Sequence, residues 1–378
     1  MLRSSPKELL RTVMARYVNK ELIPKAQEID EHGEFPWEIF REIGRMGLFG
    51  MRYPAKDGGA GGDSTLFCIA CEELARGSMS VAAIVAMQSL MGTNFLYRYG
   101  GPELREMFFL PAMKGEKVAA FALTEPDAAS DLGAVRTAAA RKDGAFEITG
   151  LKTWITNGPV ADFFTVLCQT DKTKGIKGLN FFFVPRETPG VSTSRRFDLL
   201  GTRSTPISEV AFSNCLIPLH YRLGGEGHGV KNLMGILAEI RTMTAALGLG
   251  LARAALDDSL QYAKERTQFG KPIGNYQLIQ AKVADMATEI EASRLMIYNT
   301  TRMIDEGRPC MKEASMAKYF ATETACRAAD QATRIFASYS YAMDYRPQRY
   351  YRDCRFLLYG GGTSEILQTI IAREVGLQ

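Results

Sequence analysis

Histidine is almost missing from this chain. Only His32, His220 and His228 occur in 378 residues. Three imidazoles so far apart in sequence offer no His-rich metal site, and they leave acid–base chemistry to carboxylates, tyrosines or a cofactor. A charge excess of one sign is also lacking: the formal net charge is only +4. That balance does not argue for nucleic acid or an anionic membrane as partner, although a local basic patch can still hold a phosphorylated ligand. No uninterrupted apolar run reaches the roughly 18 residues of a membrane span; the longest candidate, Val81 to Leu90, is broken by Gln88 and Ser89. No secretory signal stands at the start. Ser5-Pro6-Lys7-Glu8 reads as a helix-capping box, so a folded helix is expected from about residue 6, with little room for a targeting peptide. There is no P-loop, HExxH or GxSxG, which removes the main support for triphosphatase, zincin and α/β-hydrolase readings.

What is present starts with seven cysteines, odd in number and scattered. They read as reduced thiols in a cytoplasmic setting. Cys68 and Cys71 form a CxxC, but in a helical stretch with no second CxxC, and they read as small buried residues rather than a redox pair or zinc ligands. The texture of the chain changes twice. Helical periodicity dominates to about residue 115, beginning with Leu9, Leu10, Val13, Met14, Tyr17, Val18 and Leu22. Short β-rich runs punctuated by Gly, Pro, Asn and Asp follow: Val118 to Leu123, Phe146 to Thr149, Phe163 to Cys168, Leu179 to Val184 and Glu209 to Phe212. They suggest a small barrel or sandwich. Long helical stretches then run from Val230 to Arg266, Tyr276 to Asp305 and Met311 to Tyr341, as in a bundle, with a last helix near Thr363. The expected organisation is α+β and multidomain, with a helical part over 1–115, a β part over 116–225 and a helical bundle over 226–378.

Gly248-Leu249-Gly250-Leu251-Ala252-Arg253 resembles a dinucleotide loop only superficially. It lies inside a helical pattern and lacks the third glycine, so helix packing is the expected role. Two stretches are more specific. Ala122 to Asp131 leaves a strand for a turn rich in hydroxyls and carboxylates, and Lys152-Thr153-Trp154-Ile155-Thr156-Asn157-Gly158 sets a Trp between threonines. A flat ring flanked by hydroxyls suits a planar heteroaromatic ligand, but turn chemistry plus a core Trp explains the same residues.

Over essentially its whole length the chain resembles the acyl-CoA dehydrogenase flavoprotein family. The matching pieces are Glu21-Leu22-Ile23-Pro24 with Glu28-Ile29-Asp30, Gly58 to Gly62, Leu123-Thr124-Glu125-Pro126 with Ser130-Asp131, and Lys152 to Asn157. Arg266-Thr267-Gln268-Phe269-Gly270-Lys271, Gln277 with Gln280 and Ala284-Asp285-Met286, Arg352-Asp353, and Gly362-Thr363-Ser364-Glu365-Ile366 follow. The resemblance implies an N-terminal helical domain, a middle β-barrel and a C-terminal four-helix bundle. It also implies noncovalent FAD, an acyl-CoA substrate, an electron-transferring flavoprotein as electron partner, and a homotetramer built from dimers. By resemblance Thr124, Ser130, Trp154 and Thr156 line the flavin. Arg266 and Phe269 reach the FAD of a neighbouring subunit, and Thr363 and Glu365 lie where the last motif meets FAD. Ser130 also borders the acyl-CoA channel, and Arg241 matches a common arginine on the first bundle helix. No metal is implied.

The chain departs from the family where the family keeps its base. Most members carry a glutamate just before the Gly-Thr of the last motif, where this chain has Gly361. A second class carries it immediately before the common arginine, where this chain has Ile240. Glu239 is one residue off, and one residue turns a helix by about 100°. Gly361 can still offer its backbone N–H to the thioester carbonyl. Glu239, Tyr97, Tyr359 or a water held by Gln88 are the substitute bases to consider. The family's Gln-Ile-Phe-Gly-Gly reads Arg334-Ile335-Phe336-Ala337-Ser338, so Arg334 either meets a phosphate or is a surface arginine. The Gly before Ser130 is Ala129. Ala82, Ala83, Val85 and Ala86 are small, from tight helix packing or from a cavity wide enough for a branched or cyclic acyl group. Three functions follow: an FAD-dependent acyl-CoA dehydrogenase acting on a branched, cyclic or unsaturated acyl group with a non-standard proton acceptor; a redox-neutral lyase such as a 3-sulfinoacyl-CoA desulfinase; or a non-catalytic acyl-CoA-binding flavoprotein.

Overall fold

The computed structural model describes residues 5–377. The capping box forms as the sequence predicts: Ser5 Oγ accepts from the Glu8 N–H while the Glu8 carboxylate accepts from the Ser5 N–H, opening the helix Pro6–Tyr17. Helices Ile23–His32, Trp37–Arg45 and Ser64–Gly77 follow, the last capped by Asp63. A further helical run, Met79–Tyr99, passes through the core. The chain turns to strands at Ala119 and back to helix at Gly229.

The β part holds β1 (Ala119–Ala122), β2 (Ala138–Lys142), β3 (Ala145–Thr156), β4 (Phe163–Gln169), β5 (Leu179–Pro185), β6 (Val191–Thr193), β7 (Ile207–Pro218) and β8 (Arg222–Leu223). They form one sheet in the order β6-β7-β3-β2-β4-β5-β8, with β1 parallel to β4. The path runs from β6 to β8 with β1 branching off β4, so the expected middle β-domain is built on one eight-stranded sheet. Three strands escaped the sequence reading: β2, β6 and β8 are short or polar, and their apolar pattern is too brief to show.

The bundle is made of Gly229–Glu265, Gln277–Asp305, Met311–Phe336 and Ser364–Glu374. Its first helix needs the two glycines that mimic a dinucleotide loop. A Cβ on Gly250 would stand 2.1 Å from the Glu72 carbonyl oxygen, and one on Gly248 3.0 Å from that of Ala321. These glycines let neighbouring helices approach at backbone distance. The bundle is pinned to the N-terminal part by a buried ion network: Arg253 Nη1 lies 2.7 Å from Glu72 and 2.6 Å from Glu73, and Arg11 reaches both carboxylates at 3.0 and 3.1 Å. Arg352 ties the other end, with Nη1 3.2 Å from buried Asp30 and 3.1 Å from the Leu200 carbonyl. Cys68 and Cys71 are buried thiols, and among the described residues no group of His, Cys, Asp and Glu is arranged to hold a metal.

Two expectations need correction. Met79–Tyr99 and Gly229–Glu265 are both long and apolar enough to cross a bilayer, contrary to the run-length reading; 89% and 72% of their apolar windows are buried inside the protein, so these are core helices. Small and polar residues interrupt their runs without lowering the average hydropathy enough. The third bundle helix ends at Phe336 rather than near Tyr341, because Ala337 adopts φ 51°, ψ −133°. That region is sterically costly to any residue with a Cβ, by about 1–3 kcal/mol, and it falls where the family carries glycine. Ala337→Gly is therefore expected to stabilise the fold by about 1 kcal/mol net of the extra chain entropy of glycine. A higher urea midpoint at unchanged m-value is the readout, and a midpoint at or below that of the parent would contradict it.

Candidate active site

Two clusters of sequence-predicted residues form, on different elements. The first is built on β3. Its pairing with β7 slips between Lys152 and Ile155, and within that bulge Trp154 takes φ 58°. A bulge re-aims side chains. Thr153 and Ile155 stay buried while the Trp154 ring turns outward, 60% exposed, with only Phe197 edge-on at 4.9 Å. The turn after β1 is bound to this strand. The Thr153 N–H donates to the Thr124 carbonyl at 2.9 Å, and Lys152 Nζ donates to the Leu123 carbonyl at 2.9 Å and to Glu125 Oε1 at 2.8 Å. Glu125 also accepts from the Arg136 and Thr137 N–H groups at 2.7 and 2.9 Å. Burial pushes the Glu125 carboxyl up, but the Lys152 charge and these hydrogen bonds together hold it below the usual carboxylate range. Burial draws the Lys152 ammonium down. Thr124 and Thr156 are half-buried and Ser130 is exposed; Thr156 lies two residues beyond Trp154 on β3, and Thr124 is tied to that strand through Thr153. An exposed indole on a strand and turn that carry threonine hydroxyls fits a planar heteroaromatic such as the isoalloxazine of FAD.

The second cluster joins the loop Leu358–Gly362 to the first bundle helix. Gly361 has φ 75° and Gly362 φ 105°. A Cβ on Gly361 would meet Ile240 Cγ2 at 3.6 Å and Thr244 Oγ1 at 3.4 Å, so the two positions at which the resemblance implies a base converge on one spot, and neither Gly361 nor Ile240 is ionisable. Arg241, 4% exposed, donates from Nε to the Gly361 carbonyl at 3.3 Å and from Nη1 to Ser315 Oγ at 3.1 Å. Burial draws its guanidinium below its ordinary value. Thr363 caps the last helix, accepting from the Ile366 N–H. Glu365, in the first turn, has its carboxyl held below the usual range by its own backbone N–H and by Thr363. Ala82 and Ala86 are buried in the same core as Ile240.

Three of the four substitute bases are already engaged by other groups. The Glu239 carboxylate is engaged by Arg52 and, at 3.0 Å, by Arg98. Held between two guanidiniums, it is a poor proton acceptor, as its offset of one residue from Ile240 foreshadowed. Gln88 spends both amide hydrogens on the Ala112 and Lys117 carbonyls, its oxygen accepts from the Ala119 N–H, and the side chain is fully buried, so it is committed to the fold rather than to a reacting water. Tyr97 donates to Asp57, and Tyr359 is 62% exposed. Arg266, Phe269 and Arg334 lie outside both clusters. Phe269, 94% exposed, and Gly270 form a tight hairpin turn with positive φ at both residues; Arg266 stacks over Tyr339. Arg334 pairs with Asp330 at 2.6 Å on its own helix. Sequence reasoning missed Lys318, fully buried on the third bundle helix, whose Nζ donates to the Gly362 carbonyl at 2.8 Å. A lone lysine within the Ala-rich run Ala314 to Ala321 was the available signal.

Comparison with known proteins decides the family. Residues 4–116, 120–215 and 227–376 match the N-terminal, middle and C-terminal domains of acyl-CoA dehydrogenase. This chain belongs to the acyl-CoA dehydrogenase family. Benzylmalonyl-CoA dehydrogenase of Aromatoleum aromaticum is 49% identical over 97% of both chains. The 3-(aryl)acrylate reductase of Clostridium sporogenes is 40% identical over 97% of this chain and 98% of its own. Among solved structures, the glutaryl-coenzyme A dehydrogenase complex with glutaryl-CoA superimposes with a TM-score of 0.96 at 35% identity, covering 100% of this chain and 97% of the other. As an acyl-CoA dehydrogenase family member the chain is an oxidoreductase acting on acyl-CoA thioesters. The lyase and binding-only readings draw no support from relatives named for oxidation and reduction.

Proposed function

We propose that the enzyme oxidises a 2-carboxyacyl-CoA, a malonyl thioester with an apolar, aryl-bearing side group, and that loss of its carboxylate as CO2 takes the place of proton removal. The observation that carries this reading is the spot where Gly361, Ile240 and Thr244 meet without an acid or base. An ordinary acyl thioester must give up a proton at Cα, and a missing general base costs about 10²–10⁴-fold. A 2-carboxyacyl thioester needs no base. The bond from Cα to the carboxylate breaks, CO2 departs, and the electron pair stays on Cα to form the double bond as hydride leaves Cβ. The 49% identical benzylmalonyl-CoA dehydrogenase supports this substrate class. The small side chains of Ala82, Ala83 and Ala86 are consistent with a bulky ring.

FAD, held through Thr124, Ser130, Trp154 and Thr156, with Arg266, Phe269, Thr363 and Glu365 contributed as the resemblance implies, supplies the hydride acceptor. The chain's own part is to bind and orient. Gly361 offers its N–H to the thioester carbonyl, where negative charge gathers as CO2 leaves. The apolar Ile240 keeps the departing carboxylate poorly solvated, which favours its conversion to neutral CO2. Electrons then pass to an electron-transferring flavoprotein, the protein works as a homotetramer, and its scattered free thiols suit the cytoplasm.

Incubation of the holoenzyme with benzylmalonyl-CoA labelled with ¹³C in the free carboxylate is expected to yield labelled CO2 and cinnamoyl-CoA in equal amounts, with reduction of the flavin. Flavin reduction with the label retained in the product would overturn the reading.

A further inference from the structure

Lys318 and Arg241 are two buried cations gripping one loop. Lys318 Nζ donates to the Gly362 carbonyl at 2.8 Å and lies 3.4 Å from that of Leu358; Arg241 Nε takes the Gly361 carbonyl. Among the described residues no carboxylate hydrogen-bonds to either cation. Nothing acidic stands on the loop itself, Gly360 to Gly362, or on the facing turn from Ile240 to Thr244. Glu323 and Glu365 stand near Lys318 without hydrogen-bonding to it, and a buried charge that lacks a bonded counter-ion is costly, a cost that backbone carbonyls offset only in part. We propose that Lys318 is a positioning residue for the reaction: with Arg241 it fixes the glycine loop and supplies the positive field that fits this site to a thioester bringing its own carboxylate.

The inference rests on the carboxylated-substrate reading given above. The field acts on both ends of the step. The substrate arrives with a carboxylate charge, and when CO2 leaves that charge moves to the thioester oxygen beside Gly361. It is discharged only as hydride leaves Cβ. A cation fixed behind the loop attracts the charge throughout, and in a poorly solvated site such an attraction is stronger than in water. An acyl-CoA without the carboxylate gains nothing from it in the ground state.

Several groups face the Lys318 ammonium. Burial draws it down to about 8, with Glu323 and Cys326 on its own helix and Glu365 on the last helix opposing that shift, and Arg241 on the first bundle helix adding to it. The wild-type enzyme thus carries its own test. Selectivity for benzylmalonyl-CoA over 3-phenylpropionyl-CoA, the same skeleton without the carboxylate, is expected to fall as pH rises through about 8, because Lys318 then loses its charge. In Lys318→Met the KM for benzylmalonyl-CoA is expected to rise about tenfold, with kcat also lowered. The affinity for 3-phenylpropionyl-CoA, read from perturbation of the flavin spectrum, should change less than twofold. Lys318→Arg, charged at every accessible pH, should keep the selectivity and lose the alkaline decline. Equal weakening of both thioesters by Lys318→Met, or a wild-type selectivity flat across this pH range, would show Lys318 to be only a structural pin. Absence of CO2 release by the wild type would remove the substrate reading and this inference together, whereas release with unaltered selectivity in Lys318→Met would remove the inference alone.

Discussion

Gly361→Glu is expected to convert the enzyme into one that oxidises 3-phenylpropionyl-CoA, raising that activity by about 10²–10⁴-fold, the usual worth of a general base. Its activity on benzylmalonyl-CoA should fall by a comparable factor. The geometry supports both halves. A side chain on Gly361 would start out toward Ile240 and Thr244, the spot at which the family's two alternative bases converge. A carboxylate placed there is available for the α proton of a simple acyl thioester. It also occupies the space, and repels the charge, of a substrate's own carboxylate. The new residue must accept φ 75°, a cost of about 1–2 kcal/mol that the clamped loop can bear. Both substrates lead to cinnamoyl-CoA, so one assay of that product under anaerobic flavin reduction compares them directly. A variant that stays inactive on 3-phenylpropionyl-CoA while binding it and retaining flavin would show that absence of a base is not what restricts the parent.

Removal of Lys152 is expected to have the largest effect on stability. Its ammonium is fully buried and pairs with Glu125. Breaking a buried pair by deleting one partner leaves an uncompensated charge and costs about 3–5 kcal/mol. Lys152→Met should therefore lower the unfolding midpoint sharply and release FAD, because the same lysine joins the Leu123–Glu125 turn to the strand that carries Trp154. Lys152→Met combined with Glu125→Gln should recover much of the loss, since the double variant strands no charge. The acid limb supplies a further signature. The Glu125 carboxyl is held below its unfolded value of about 4.3, so its contribution is complete above that pH and disappears as pH falls through the folded value. Glu125→Gln should lack this component of acid unfolding. A Lys152→Met protein with parental stability and flavin content would refute the view that the pair staples the two segments.

Much of this was legible in the sequence for identifiable reasons. The capping box at Ser5, the long helical periodicities and the β-rich texture between them depend on neighbours along the chain, and local pattern reports such features well. The resemblance rested on motifs such as Leu123 to Pro126 and Lys152 to Asn157, whose order a linear reading preserves. It also singled out Gly361 and Ile240, the positions at which the resemblance implies a base. What a linear reading could not supply was contact across the fold. Lys318 is 43 residues from Gly361 in sequence, and only packing of the third bundle helix against the glycine loop brings it there. Glu239 remained a candidate base until Arg52 and Arg98 were seen to enclose it. Trp154 lies beyond the run Phe146 to Thr149 that the pattern shows, and both its place on β3 and the bulge that turns its ring outward arise from pairing with β7.

By itself, then, the sequence determined the order of the three parts, the family resemblance and the non-ionisable residues at Ile240 and Gly361, because each is a property of which residues stand where along the chain. Only the tertiary structure decided that Gly361 and Ile240 meet at one place, that among the described residues Glu239 is engaged elsewhere by Arg52 and Arg98, and that buried Arg241 and Lys318 hold the adjoining loop. Charge, distance and burial belong to three-dimensional neighbours, and it is they that set which proton or carboxylate can leave.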